Sequence, residues 1–263
     1  MNFFGFKRED LRLTYSFFKM MLRDRYLGSS LGVIWAVVHP LLLLGIYTFV
    51  FGFILKQRLP GSEKNLSYAI WLICGFVPYL SIPDAFNSTA QSVIQGAAMV
   101  KNMVFKSEIL PMASVLVAMV PVAVGFCFLM VILLLSGSWP SWHLMALCFL
   151  IPIHILFLTG VGFFLSATAV FVRDTLQVLS TVTLLISFFT PIFYSAELLP
   201  RLVRPLTYLN PFYWLCQPYR DILLYHRLPN MLGVLYLGIL ASFLFWAGLK
   251  YFRRLKGYFE MKL

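Results

Sequence analysis

Six apolar stretches, each long enough to cross a lipid bilayer, constrain the fold of this 263-residue chain more than any other feature of its sequence. A hydrocarbon core about 30 Å thick needs about 20 helical residues to span it. Only 12% of the residues are charged, which is about half the fraction found in soluble domains. The sequence therefore predicts an all-α integral membrane protein with a single transmembrane domain, 1–263. The predicted spans cover residues 31–55, 66–88, 109–137, 143–171, 176–196 and 230–250.

The lysines and arginines predict how these spans are oriented. With the N terminus in the cytoplasm, 14 of the 21 basic residues fall in cytoplasmic segments or at the cytoplasmic ends of spans. Basic residues favour the cytoplasmic side of a membrane, so both termini are expected there. The formal charge of +11 does not indicate nucleic-acid binding, because the basic residues flank apolar runs and share no polar domain.

Residues 1–30 predict a cytoplasmic amphipathic helix that lies in the membrane interface. Basic and apolar side chains form adjoining stripes at helical spacing, as in interfacial helices. The basic stripe holds Arg8, Arg12, Lys19 and Arg23, and the apolar stripe holds Leu11, Tyr15, Phe18 and Leu22. A solvated leader is the alternative interpretation.

Residues 197–229 are too polar to form a span and too aromatic for an exposed loop. Prolines at 200, 205, 211 and 218 divide the segment into short pieces. Broken helices are tolerated at membrane depth where protein or a wet cavity covers them. We therefore expect short re-entrant helices on the outer side, between the fifth and sixth spans, with an exposed amphipathic loop as the alternative.

The spans lack the charges and motifs of several other classes of membrane protein. Asp84, near the inner end of the second span, is the one acidic or basic residue well inside a span. Ion-coupled carriers place such groups at membrane depth, so Asp84 is either a site or a carboxylate at a helix end. The chain has no phosphate-binding loop, so any ATP must be hydrolysed by a separate subunit.

The histidines and cysteines predict no catalytic or metal site. The four histidines are scattered, and the four cysteines form no Cys-x-x-Cys pair. His39 precedes Pro40, and we expect it to hydrogen-bond a carbonyl that the proline leaves free. An active site assembled from residues distant in sequence stays open at this stage.

Aromatic side chains are abundant, with 26 Phe, 13 Tyr and 6 Trp. Many of them cluster in "SFFTPIFY" (187–194) and in the segment that follows. Such rings either form interfacial belts and core packing or provide a surface for the apolar faces of sugars and for lipid. The sequence leaves both interpretations open.

The stretch "RDRYLGSSLGVIWAVVHPLLLLGIYTFVFGFI" (23–54) resembles the opening of the membrane subunit of bacterial polysaccharide exporters. These are type 2 ABC transporters that serve O-antigen, teichoic acid and capsule chains. "GFVPYL" (75–80), "VKNMVFKSEILPMASVL" (100–116), "FVRDTLQVL" (171–179), "TPIFYS" and "LNPFYWLCQPYRDILL" also resemble segments of that family. His39 and Lys106 replace the asparagine and the proline that the family usually has.

The resemblance implies a homodimer paired with two copies of a cytoplasmic ABC ATPase, in the inner membrane of a bacterium. ATP and Mg would bind the ATPase, and no cofactor is expected on this chain. A lipid-linked polysaccharide, most simply an O-antigen-type glycan, would enter from the inner leaflet. Segment 89–108 would couple to the ATPase, 197–229 would form a periplasmic gate, and 251–263 would be a cytoplasmic tail.

The resemblance also implies roles for individual residues. The expected channel or glycan contacts are Tyr47, Phe51, Tyr79, Phe188, Phe189, Phe193, Tyr194, Tyr213, Trp214, Tyr219 and Arg220. The expected ATPase-coupling residues are Gln91, Gln95, Lys101, Asn102, Phe105, Lys106 and Glu108. The expected residues of the cytoplasmic entrance are Arg23, Arg25, Tyr26, Ser30, Gly32 and Trp35, with the small residues bending the chain and allowing close helix approach. A small-lipid or drug exporter, and a membrane-embedded transferase or assembly scaffold, are the competing functions.

Overall fold

A computed structural model of the protein describes residues 6–54, 65–103, 105–135 and 141–262. The predicted outer loop at 56–65 and the turn between the third and fourth spans lie largely outside these residues. So do the first five residues, the last residues of spans 31–55 and 109–137, and the last residue of the tail.

The described ranges are almost entirely helical. The α-helices are α1 (Arg8–Asp24), α2 (Trp35–Thr48), α3 (Asn65–Tyr79), α4 (Ser81–Gln95), α5 (Ala97–Asn102), α6 (Ile109–Ala118), α7 (Val120–Leu135), α8 (Leu147–Phe171), α9 (Thr175–Phe189), α10 (Arg204–Leu209), α11 (Pro211–Leu223) and α12 (Met231–Lys256). Short 3-10 helices precede α2 at Gly32–Ile34 and α8 at Trp142–Ala146. A π-helical segment, Phe49–Ile54, follows α2.

Five of the six predicted spans are confirmed as helical stretches long and apolar enough to cross a membrane. They run over Gly32–Phe51, Tyr68–Gln95, Ile109–Leu135, Trp142–Phe171 and Met231–Lys256. The chain is therefore a multi-pass membrane protein.

The predicted span 176–196 is helical only over α9, which has 15 residues. At 1.5 Å per residue this helix is about 22 Å long, short of a typical bilayer core. Pro191 is the physical reason, because a residue that precedes proline avoids the α conformation. Thr190 accordingly has an extended backbone, at φ −95° and ψ 128°.

The second span forms the centre of the bundle. It consists of α3 and α4, which meet at Leu80 just after Pro78. The most apolar part of this span is 83% buried, compared with 17% for Gly32–Phe51. It packs against α6, α8, α9 and α11, so groups on this span are placed to meet most other parts of the protein.

Both ends of the described chain lie at one end of the bundle, which we call the basic end. Phe6 packs in one buried cluster with Phe252 and Phe259. The amphipathic helix predicted within 1–30 is confirmed as α1, but its buried residues are Thr14 and Phe17. Phe17 packs on α6. In the predicted apolar stripe of α1, Leu11 and Tyr15 are exposed, whereas Phe18 and Leu22 are half-buried.

The predicted break after the fifth span is present as the short helices α10 and α11. Pro211 begins α11, and the side chain of Asn210 accepts a hydrogen bond from the amide of Phe212. The residues of α11 from Trp214 to Leu223 are buried, apart from a half-buried Gln217. The alternative of an exposed loop is wrong for α11, because this helix packs on α3 and α12 inside the bundle.

Candidate functional site

A cavity of about 470 Å³, the central cavity, lies between α2, the α3–α4 span and α9. Of the described residues that line it, only Arg25 and Asp84 carry a full charge. The remaining lining side chains are aromatic, aliphatic or hydroxyl-bearing, apart from the imidazole of His39 and the amide of Asn87. The cavity is therefore suited to a ligand that is largely neutral.

One wall of the central cavity is formed by the rings of Tyr47, Phe76 and Phe193. The ring of Phe51 packs on Tyr47 and Phe193 from outside the cavity lining, and we call the four rings together the aromatic wall. The ring centroid of Tyr47 lies 4.5 Å from that of Phe76 and 5.3 Å from that of Phe193. Phe51 stacks on Phe193 at 5.3 Å. Tyr47, Phe51 and Phe193, separated by up to 146 positions in the sequence, are brought together in this cluster.

Another part of the lining is formed by hydroxyl groups on α9. The Thr183 hydroxyl donates to the carbonyl of Leu179, and the Ser187 hydroxyl donates to that of Leu184. Tyr79, another expected channel residue, lines the cavity and donates its hydroxyl to the carbonyl of Thr183 at 2.7 Å. A hydroxyl oxygen that donates can still accept a hydrogen bond, so this part of the lining can accept hydrogen bonds from a ligand's hydroxyl groups.

An ion pair closes the central cavity towards the basic end. Nη1 of Arg25 lies 2.7 Å from Oδ2 of Asp84. Both residues, with Asn87, also line a second cavity of about 480 Å³, the basic-end cavity, between α1, α4 and α6. Asp84 is thus the partner of an expected entrance residue, and the pair lies on the boundary between the two cavities.

The other expected entrance residues lie near this boundary. Gly28 and Gly32 have positive φ angles, 83° and 54°, so the predicted bend between α1 and the first span is present. The expected close helix approach is not found at these glycines, since no described atom would lie within 4 Å of an added Cβ. Arg23 and Ser30 are exposed, whereas Tyr26 and Trp35 are partly buried.

His39 does not play the structural role expected from the sequence. Its exposed ring lines the central cavity, and no hydrogen bond joins it to another described residue. The expectation that it bonds a carbonyl freed by Pro40 is therefore wrong within the described chain.

Several expected channel residues lie outside the central cavity. Phe188 and Phe189 are exposed on the outer surface of the subunit, and the hydroxyl of Tyr194 donates to the carbonyl of Phe188. The rings of Tyr213 and Trp214 meet edge to face at 5.0 Å, in a separate cluster with Tyr208.

Tyr219 and Arg220 do not line any surface open to a substrate. Their exposed fractions are 0% and 1%, because α11 turns both side chains into the bundle core. The predicted glycan contact is therefore wrong for these two residues in this conformation. Both make buried hydrogen bonds instead.

Tyr219 belongs to a buried chain of polar groups that sequence reasoning missed. Nδ1 of His154 lies 3.1 Å from the Tyr219 hydroxyl, and Nε2 lies 2.9 Å from Oγ of Ser81. Ser81 in turn donates to the carbonyl of Pro78. One proton arrangement satisfies every group: Tyr219 donates to Nδ1, and Nε2–H donates to Ser81. The chain braces α4, α8 and α11, and its burial excludes a substrate from this Ser–His pair.

The expected ATPase-coupling residues divide into two groups. Gln95, Lys101 and Asn102 are exposed at the basic end, and Gln91 is half-buried and hydrogen-bonded to Gln95. Met103, with 57% of its surface exposed, is an exposed apolar side chain beside them that sequence reasoning missed. These residues lie on or beside α5 and leave it available to a partner.

Phe105, Lys106 and Glu108 instead hold the ends of the chain together. Phe105 stacks on Phe17, and Nζ of Lys106 lies 2.6 Å from Oδ2 of Asp10. The Lys106 ammonium, with the Lys7 amide, holds the pKa of Asp10 below its ordinary value. The connector before α6 therefore binds α1 directly.

Glu108 is buried and is not a surface contact for a partner, which corrects its assignment as a coupling residue. Its carboxylate lies 3.1 Å from Nε of Arg253 and 3.2 Å from Nζ of Lys256. Burial by itself raises the pKa of Glu108, but its own backbone amide, Lys256 and Arg253 together hold the pKa below the ordinary value. The carboxylate is thus charged at neutral pH.

Glu108→Gln is expected to destabilise the protein by about 1–2 kcal/mol, since the cations that lose their partner are partly solvated. A carboxyl group whose pKa is lowered by folding stabilises the protein fully at pH values above its pKa in the unfolded state, 4.5. This stabilisation is lost as the pH falls through its lower pKa in the folded state. The difference between wild type and variant should therefore shrink in acid. Thermal unfolding in detergent between neutral pH and pH 3 measures it. Exposed Glu260→Gln is the matched control, and an equal effect there would refute the prediction.

The sequence contained a weak signal for some of the missed residues. Phe76 of the aromatic wall lies within "GFVPYL" and three positions before Tyr79, so a helix places both on one side. His154 and Ser81 are 73 positions apart, and no local pattern relates them.

Comparisons with known proteins agree with this architecture. Residues 12–224 match the model of the ABC-2 type transporter family. The chain is 24% identical over 237 residues to the O-antigen export system permease protein RfbA of Myxococcus xanthus, covering 89% of each chain. It is 27% identical over 238 residues to an RfbA permease of Klebsiella pneumoniae, covering 89% of this chain and 88% of the relative. A second RfbA permease of Klebsiella pneumoniae is 26% identical over 246 residues, with the same coverage.

The family match covers the first span, the central cavity and α11, and it ends before α12. The named relatives match over nearly their whole length, and all three are permeases, which are transport components. The chain therefore belongs to the ABC-2 type transporter family and is a transport subunit, not an enzyme.

Proposed function

We propose that this chain is the channel-forming permease of an ATP-driven exporter of a lipid-linked polysaccharide of the O-antigen type. The observation that carries the proposal is the central cavity, whose lining combines the aromatic wall with hydroxyl groups. Aromatic rings pack on the apolar faces of sugars, and hydroxyl groups exchange hydrogen bonds with their edges. The names of the relatives support the same substrate class.

The largely neutral lining also suits a polymer that has to slide. Many weak contacts permit movement, whereas a strong charged site would hold one unit in place. Each stacked ring contributes about 0.5–1.5 kcal/mol, which is small enough to release a sugar and large enough to guide it.

We assign the basic end to the cytoplasm and the end with α10 to the periplasm of a bacterial inner membrane. The excess of basic residues around α1, α5 and the end of α12 supports this orientation. Two copies of an ABC ATPase, carrying ATP and Mg, would bind at α5 through the exposed Gln95, Lys101 and Asn102.

A homodimer follows from the same proposal. The first span is only 17% buried within one subunit, and Leu184 and Phe188 of α9 are exposed close to the central cavity. A second copy against this face would extend the cavity into a channel. Phe188 and Phe189 would then meet the partner or the glycan.

Reconstituted complexes of the chain with its ATPase test this function. Tyr47→Ala combined with Phe193→Ala should lower glycan export roughly thirtyfold, since two ring contacts of about 1 kcal/mol each are lost. Assembly with the ATPase should be unchanged. Export of a lipid-linked glycan into proteoliposomes and glycan-stimulated ATP hydrolysis are the measurements.

Phe243→Ala is the matched control, because this ring is 58% exposed on α12 and does not line the central cavity. If the double variant exports at the wild-type rate, the aromatic wall is packing only. A response of ATP hydrolysis to a small lipid or drug, and not to glycan, would favour the small-molecule exporter. Activity without an ATPase would favour a transferase or scaffold.

A further inference from the structure

The break after α9 leaves three successive carbonyl groups without helical partners. These belong to Pro191, Ile192 and Phe193, where the chain leaves α9 and enters the aromatic wall. Pro191 and Ile192 are buried. A carbonyl that is buried without a hydrogen bond is costly, so the conformation of this segment requires donors from elsewhere.

Side chains from two other helices supply those donors. Nη1 of Arg220 lies 2.9 Å from the Pro191 carbonyl, and Nη2 lies 2.7 Å from the Ile192 carbonyl. The hydroxyl of Tyr68 lies 2.6 Å from the Phe193 carbonyl. Each of the three successive carbonyls is thus bound, two by α11 and one by α3.

Arg220 is itself held in a slot on α3. Its guanidinium carbon lies 3.7 Å from the ring centroid of Trp71, and its Nε donates to the Trp71 carbonyl at 3.3 Å. One helical turn later, a Cβ added at Gly75 would collide with the guanidinium. The glycine of "GFVPYL" is therefore required by the arginine of α11, 145 positions away in the sequence.

The planar guanidinium suits this position in a way that an ammonium does not. Its fixed fork donates to two neighbouring carbonyls at once, whereas lysine carries a single point charge. The acceptors of Arg220 among the described residues are neutral oxygens. The neighbouring acid, Asp221, is paired with Arg227 at 2.6 Å.

We propose that Arg220 and Tyr68 are positioning residues for transport, which fix the backbone of 191–193 and so hold the Phe193 ring in the aromatic wall. They act through Phe193 and do not touch the substrate. The part of this proposal that concerns export rests on the proposed function. The placement of Phe193 does not, and it can be tested without any substrate.

Thiol labelling measures the placement of residue 193 directly. Phe193→Cys is made in the full-length chain, in complex with its ATPase, after the exposed Cys127 and Cys148 are changed to alanine. The rate of reaction with a water-soluble maleimide is then compared with and without Tyr68→Phe or Arg220→Lys. We expect labelling to rise about fivefold with Tyr68→Phe and tenfold or more with Arg220→Lys, in line with the loss of one or of several buried hydrogen bonds.

Tyr236→Phe is the matched control, because it removes a hydroxyl that donates to the Leu209 carbonyl at 2.9 Å. Tyr68→Phe removes a single hydroxyl, so it remains informative if Arg220→Lys fails to assemble. Gly75→Ala displaces the guanidinium while it leaves both donors in the chain, and it should reproduce the effect of Arg220→Lys. The proposal would be overturned if the cysteine at position 193 in these variants is labelled no faster than it is in the Tyr236→Phe control.

Glycan export by Tyr68→Phe, with Phe193 restored, tests the consequence for transport. We expect export to fall about fivefold while the thermal stability of the complex stays near that of the Tyr236→Phe control. Raised labelling with export at the wild-type rate would refute the role in transport. If the wild-type complex exports no glycan, the proposed function fails, and labelling still decides whether Arg220 and Tyr68 position Phe193.

Discussion

Gly160→Ala is expected to lower the free energy of unfolding by roughly 2–3 kcal/mol, the cost of overpacking a tight contact. Gly160 lies where α8 crosses α12, and an added Cβ would be 2.6 Å from the backbone nitrogen of Phe245 and 2.7 Å from the carbonyl carbon of Leu244. Backbone atoms cannot move aside as a side chain can. The two helices would have to separate.

Gly248 of α12 faces the same crossing from the other side. A Cβ added there would collide with the carbonyl oxygen of Gly160. In lipid, packing between spans depends on close approach at such small residues, because no hydrophobic effect drives one span onto another. We therefore expect Gly248→Ala to destabilise the protein by a similar amount, and the double variant to cost less than the sum, since one separation relieves both collisions.

Gly238→Ala on the same helix is the matched control. A Cβ added at Gly238 would lie 3.8 Å from Cδ1 of Ile153, its nearest neighbour, which is an ordinary van der Waals contact. Alanine favours a helix over glycine by about 1 kcal/mol, so this variant should be neutral or slightly stabilised. Denaturant-induced unfolding in detergent measures all four variants. Equal stability of Gly160→Ala and Gly238→Ala would show that the α8–α12 crossing tolerates a wider spacing.

Asp84→Arg is expected to lower export roughly tenfold or more, because it places two cations at the boundary between the cavities. In the wild type, Asp84 accepts a hydrogen bond from Arg25 at 2.7 Å. Its side chain is 17% exposed and that of Arg25 38% exposed, so solvent screens the pair only in part. Repulsion would move the chain at Arg25 away from α4 and alter the passage into the central cavity.

The charge-swapped double variant gives the decisive comparison. Arg25→Glu alone should also impair export, whereas Arg25→Glu with Asp84→Arg should restore most of it, because opposite charges again face each other. Arg254→Glu, an exposed residue on α12, makes the same change of charge as Arg25→Glu and should export normally. A double variant as impaired as the single ones would mean that Asp84 or Arg25 acts individually.

Local patterns predicted much of the fold correctly. The lengths of the apolar stretches located five spans, and the amphipathic spacing located α1. Pro191 marked the end of α9, yet the predicted span ran on to residue 196, because apolar composition outweighed the effect of a single proline. The prolines of 197–229 indicated short helices, and α10 and α11 begin as those prolines require.

The candidate site was predicted less completely. Of the residues expected to line the channel, Tyr47, Tyr79 and Phe193 line the central cavity, and Phe51 packs on Tyr47 beside it. Their contact with a glycan stays a prediction. Arg220 was placed with them because the resemblance implied that it contacts the glycan. Its burial depends on acceptors in α3 and in the segment after α9, which no pattern within α11 reveals.

The sequence by itself determined that this chain crosses a membrane several times, since only apolar runs of about 20 residues can do so. It also determined that the segment after α9 is broken into short helices, since proline acts on the local backbone. Only the tertiary structure decided which polar groups meet: Arg25 with Asp84, Glu108 with α12, and Arg220 with the carbonyls after α9. The physical reason is that lipid accepts apolar residues on every side of a span, so the pattern of a helix does not specify which of its faces turns inward.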